Sequence, residues 1–115
     1  MWIMVAGPYT AGAADAVARA NNLRELNRTA VALFRKGHVP IIGVNLALPL
    51  VEVAGPESFD EIMMPLSLAA AERCDAVLRI GGASKGADQE VERFTSKGKP
   101  VYRRLDDVPP VTEPL

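Results

Sequence analysis

Cysteine and histidine are almost missing: Cys74 and His38 each occur once in 115 residues. A lone cysteine forms no internal disulfide, and neither a CxxC nor a His-rich metal site can be assembled. No charge sign dominates. Thirteen Lys and Arg against fourteen Asp and Glu leave a net charge of -1, which argues against a protein devoted to gripping nucleic acid. No apolar run reaches the roughly 18 residues that a membrane span needs. The opening MWIMVAGPYT has no basic n-region, so no signal peptide is expected, and a cytoplasmic protein with no membrane partner is. What is present, 49% hydrophobic and 23% charged residues, is the balance of one globular domain.

Trp2 to Ala6 is a short uninterrupted apolar run stopped by Gly7-Pro8, the pattern of a strand buried on both faces. Ala13 to Lys36 predicts a long helix. Its apolar stripe is Val17, Ala20, Leu23, Ala30, Leu33 and Phe34, and Gly37 ends it. His38 to Val44 predicts the second strand, at a sheet edge because Pro40 lacks an N–H. Asn45 to Pro56 reads as a loop, oddly apolar at Leu46, Leu48, Leu50, Val51 and Val53. Such a loop marks an interface or a binding site, and a homo-oligomer is expected from it. Ser58 and Glu61 form a capping-box pattern ahead of a helical stretch that reaches Arg73, with Pro65 inside. Asp75 to Ile80 predicts the third strand, Ala87 to Lys97 a helix ended by Gly98, and Pro100 to Arg103 the fourth strand. The domain is therefore set at 1–104, with 105–115 an irregular Pro-rich tail.

Strands alternating with helices predict an α/β fold, a doubly wound parallel sheet of four to five strands in the order 2-1-3-4. In such sheets ligands sit beyond the carboxyl ends of the strands at the switch point. The loops Gly7 to Gly12 and Gly81 to Gly86 should then form the site. Gly81 and Gly82 let the backbone turn and approach a ligand. Ser84 and Gly86 stand at a helix N-terminus, which suits a phosphate. Glu90 lies one turn further on, where a carboxylate is expected to stay ionised: a ready nucleophile and a poor general acid. Tyr9 can stack on a base. Asp75, His38 and Cys74 read as structural. Met63 and Met64 read as core or interface filler.

Ala6-Gly7-Pro8-Tyr9-Thr10, Asp75, Ser84-x-Gly86-x-x-x-Glu90 and Lys97-Gly98-Lys99-Pro100-Val101, in that order, resemble the nucleoside 2-deoxyribosyltransferase superfamily. That superfamily includes the deoxynucleoside 5′-monophosphate N-glycosidases and small uncharacterised relatives. The resemblance runs from Met4 to about Tyr102. It implies a flavodoxin-like fold and an oligomer. It also implies cleavage or transfer of the N-glycosidic bond of a nucleoside or (deoxy)nucleoside 5′-monophosphate, with no metal or organic cofactor. Glu90 matches the catalytic glutamate. Ser84 and Gly86, beside Gly82, match the segment that holds the 5′-phosphate, and Gly7, Pro8 and Tyr9 match the loop lining the nucleoside pocket. One departure stands out. Active members usually carry an aspartate some eight residues before the aspartate of strand 3, and here that position is Ser67. A non-catalytic nucleotide-binding or sensor module of the same fold is the alternative. A phosphoribohydrolase loop, GG-x-G-T-x-x-E, fits less well than the GG-x-x-x-G-x-x-x-E found here.

Overall fold

A computed structural model describes residues 1–112. Its sheet is parallel throughout and ordered β2-β1-β3-β4, with β1 Trp2–Ala6, β2 Val39–Ile41, β3 Ala76–Arg79 and β4 Val101–Tyr102. The expected strand order is thus present. β2 is an edge strand, where the missing N–H of Pro40 breaks no inner ladder. The helices are α1 Ala16–Arg35, α2 Gly43–Ala54, α3 Phe59–Ala71 and α4 Lys85–Ser96.

Alternation along the strands divides the core between the sheet's two faces. Ile3, Val5, Ala76 and Leu78 pack with Leu26 and Leu33 of α1 and with Val108. Met4, Ala6 and Val77 pack with Ala71 of α3 and with Val91 and Phe94 of α4. Burying a side chain such as Leu26 or Leu33 contributes about 1.5–3 kcal/mol. Cys74 is buried, and desolvation raises its thiol pKa to about 11, so it acts as a small apolar group. Asp75 ties β1 to β3: its Oδ2 accepts from the Trp2 amide at 2.8 Å.

Several elements differ from expectation. The inward stripe of α1 is Leu23, Leu26, Ala30 and Leu33, whereas Val17 and Phe34 are 69% and 54% exposed. The helix is capped by Asp15, whose side chain accepts from the Ala18 amide at 2.8 Å.

The apolar segment read as a loop is the helix α2. Val44, Ala47 and Val51 are its buried stripe, and Leu46, Leu50 and Val53 lie exposed on its outer side. Pro49 inside it and Pro65 inside α3 are both tolerated for one reason. Each removes the bond to a carbonyl four residues earlier, on Asn45 and Glu61, and both of those residues are exposed, at the solvent side of their helices.

Ser58 does not cap α3. Its hydroxyl donates back to the Ala54 carbonyl at 3.4 Å, and a 3-10 turn, Pro56–Ser58, leads directly into α3.

The tail also departs from the irregular course expected. Leu105–Asp107 forms a 3-10 turn, and Val108 is fully buried. Lys36 Nζ donates to the Leu105 and Val108 carbonyls at 3.1 and 2.8 Å. The Val111 amide donates to the Lys36 carbonyl at 2.7 Å. Buried His38 donates through Nε2 to the Pro109 carbonyl at 2.7 Å and accepts at Nδ1 from the Met1 nitrogen at 3.0 Å. The part of the tail call covering 113–115, including Pro114, lies outside the described residues. Among the described residues no helix is long and apolar enough to cross a membrane.

Candidate functional site

The loops that follow β1 and β3 meet at the carboxyl ends of these paired strands. Their approach depends on Gly81. Its φ is +76°, and a Cβ there would stand 2.7 Å from Cδ of Pro8. Asn22 on α1 holds the first loop by donating to the Tyr9 carbonyl at 2.8 Å. Arg79 holds the second. This buried guanidinium donates to the carbonyls of Ile80 and Gly82, the latter at 2.8 Å, and pairs with Asp88 at 3.3 Å. The arginine therefore fastens the glycine turn from behind and links it to α4.

A cavity of about 330 Å³ opens between these loops, at the small end of the range for a small-molecule site. Gly7, Tyr9, Thr10 and Ala11 line it from the first loop. Ser84, Lys85 and Gly86 line it at the start of α4, Val44 from α2, and Phe59, Asp60, Met63 and Met64 from α3. Five expected site residues thus come together here: Gly7, Tyr9, Ser84, Gly86 and Glu90. Pro8 and Gly82 do not line the cavity. Pro8 packs against Gly81, and Gly82 presents its carbonyl to Arg79. Both shape the loops instead.

Tyr9 stacks on Phe59, with ring centroids 6.2 Å apart and planes inclined by 30°. Its ring is therefore fixed as part of the wall. Ser84 caps α4: its Oγ accepts from the Ala87 amide at 3.2 Å. Helix α4 starts at Lys85, ahead of the expected Ala87, so Ser84 and the amides after it form the helix end that faces the cavity.

Glu90 is only 6% exposed. Burial pushes its carboxyl pKa up to about 7, against the opposing pull of a hydrogen bond from Ser67 and the positive charge of Arg79. The expectation of an ionised glutamate is corrected here. The helix field acts within the first turn, and Glu90 lies beyond it, so desolvation outweighs the dipole. At neutral pH both protonation states are populated.

Ser67, noted in the sequence only as a departure, donates its hydroxyl to Glu90 Oε2 from the middle of α3. Gly43, at the start of α2, closes the other side. A Cβ on Gly43 would overlap the Ser67 hydroxyl and stand 3.2 Å from Glu90 Oε2. Neither Gly43 nor Arg79 was singled out from the sequence. Gly43 sits inside what reads as a strand, and Arg79 inside a run that reads as buried and apolar. The one available signal was an arginine in a buried strand next to a glycine turn.

A family model matches residues 1–104, which is every element of the sheet and all four helices. The chain belongs to the DUF1937 family. That family is described as a domain of unknown function, so membership assigns no activity. No curated protein matches the chain.

Proposed function

We propose that this DUF1937 domain binds a nucleoside or nucleoside 5′-monophosphate in the cavity and cleaves or exchanges its N-glycosidic bond, with Glu90 as nucleophile. The observation that carries the reading is one buried carboxyl group lining a cavity that also receives the capped N-terminus of α4. The resemblance of the motifs to the nucleoside 2-deoxyribosyltransferases supports it. A phosphate would meet the amides after Ser84, and the base would lie toward Tyr9. An ionised Glu90 oxygen would attack the anomeric carbon. The bond to the base nitrogen breaks, and its electron pair leaves with the base, which takes a proton from solvent. Water or a second base then displaces Glu90 from the sugar.

Incubation with deoxynucleoside 5′-monophosphates should release free base, and Glu90→Ala should reduce release to background. Base release by Glu90→Ala at the wild-type rate would exclude this role. Because the nucleophile must be ionised, kcat/KM should rise with pH through about 7.

The alternative is a nucleotide-binding module without turnover. Two features favour it: the burial of Glu90, which opposes its ionisation, and Ser67, which supplies a hydroxyl where the resemblance calls for a second carboxylate. Calorimetric binding without base release over long incubation would select it.

We also propose a homo-oligomer, because Leu46, Leu50 and Val53 expose an apolar face of α2. Light scattering should give a mass above that of one chain, and Leu50→Glu should lower it. A single-chain mass at high concentration would rule this out.

A further inference from the structure

Ser67 is fully buried in the interior of α3, where serine favours the helix less than alanine does. Its hydroxyl serves another helix, through the bond to Glu90 Oε2. The position admits little else, because Gly43 presses on it from α2 with no room for a Cβ. Three helices therefore converge on one oxygen of one carboxyl group. The other oxygen, Oε1, accepts no hydrogen bond from the described residues, although Glu90 lines the cavity.

We propose that Ser67 is a positioning residue: from a niche closed by Gly43, its hydroxyl locks the Glu90 carboxyl group by Oε2 and leaves Oε1 as the oxygen presented to a ligand. A glutamate side chain has several free torsions, and ordering them before a ligand arrives removes that entropic cost from binding or reaction. A hydroxyl suits the task for a second reason. It donates a charge-assisted bond to a carboxylate and accepts a weaker one from a neutral carboxyl, so it holds Glu90 in both protonation states while favouring the ionised one. A carboxylate in its place would add a like charge against Glu90.

The orientation is independent of any reaction, whereas its catalytic use rests on the glycosidic reading above. The test separates the two. Carbon-13 NMR follows the Glu90 carboxyl signal against pH in the ligand-free protein, in wild type, Ser67→Ala and Gly43→Ala. The lost donor favoured the ionised form, so Ser67→Ala should move the midpoint up by about one pH unit. Gly43→Ala should move it the same way by displacing the hydroxyl, and Ser67→Ala, which only removes an atom, stands alone if Gly43→Ala does not fold. An unchanged midpoint in folded Ser67→Ala overturns the proposal.

Where wild type turns over a nucleotide, Ser67→Ala should lower kcat about tenfold or more with KM nearly unchanged. A raised KM with wild-type kcat would overturn the catalytic use. If wild type releases no base from any nucleotide, the glycosidic reading fails, and the titration still decides the positioning.

Discussion

At the residue scale, Glu90 couples the site to the stability of the whole domain. A glutamate in the unfolded chain titrates near 4.5 and in the fold near 7, so between these values the native state holds a proton that the unfolded state has lost. Stability is then full below about pH 4.5 and falls as pH rises through about 7. The loss amounts to about 3 kcal/mol for a shift of this size. Glu90→Gln keeps the shape and removes the ionisation. Urea unfolding should show this variant more stable than wild type at pH 8 and close to it at pH 4.5, while base release is abolished. Equal pH dependence in the two proteins would mean that Glu90 is not desolvated as described.

At the element scale, α4 carries the largest share of the site, and its start is set by one side chain. Ser84 Oγ accepts from the Ala87 amide, so Ser84→Ala leaves that donor without its cap. The expected cost is about 1 kcal/mol in urea unfolding, with an unchanged slope against denaturant. The same variant should weaken a nucleoside 5′-monophosphate more than the corresponding nucleoside, because only the former uses the helix end. Equal weakening of both in calorimetry would remove the anion role.

β1, β3 and α4 were readable because each is short, has one dominant pattern and is soon followed by glycine, whereas β2, whose apolar run continues past Ile41, reads on through Gly43 to Val44. The switch-point loops followed from the strand order, and with them Gly7, Tyr9, Ser84, Gly86 and Glu90. Helix α2 was not readable. Its stripe of Val44, Ala47 and Val51 is masked by the leucines and valine on its outer face, and Pro49 imitates a loop. That misreading hid Gly43, and with it the reason why Ser67 stands where a carboxylate was expected. Contacts between helices far apart in sequence leave no periodic trace, so the Ser67–Glu90 bond could be found only in three dimensions.

At the scale of the whole molecule, the sheet leaves one demand that the region matched by the family does not meet. The Ile3, Val5 and Leu78 face is covered by Leu26 and Leu33 of α1 together with Val44 and Ala47 of α2 and Met63 of α3, and Val108, beyond residue 104, belongs to the same cluster. The segment behaves as a strap. It buries Val108, supplies carbonyls to Lys36 and His38, and returns the Val111 amide to the Lys36 carbonyl. Deleting 105–115 exposes the apolar surface beneath Val108 and leaves the buried His38 Nε2 without its acceptor. Burial of one valine and one lost partner for a buried donor together come to about 3–6 kcal/mol. That is a large part of the roughly 5–15 kcal/mol that holds a domain together. The deletion should therefore melt well below the full chain or fail to fold. Val108→Ala isolates the packing share, keeps the strap's backbone bonds, and should cost about 2 kcal/mol. Melting of the deleted chain within a degree or two of the full one would show that the helices close this face unaided. The site lies at the opposite ends of the strands from His38, so Val108→Ala should leave nucleotide affinity unchanged while it lowers the melting temperature.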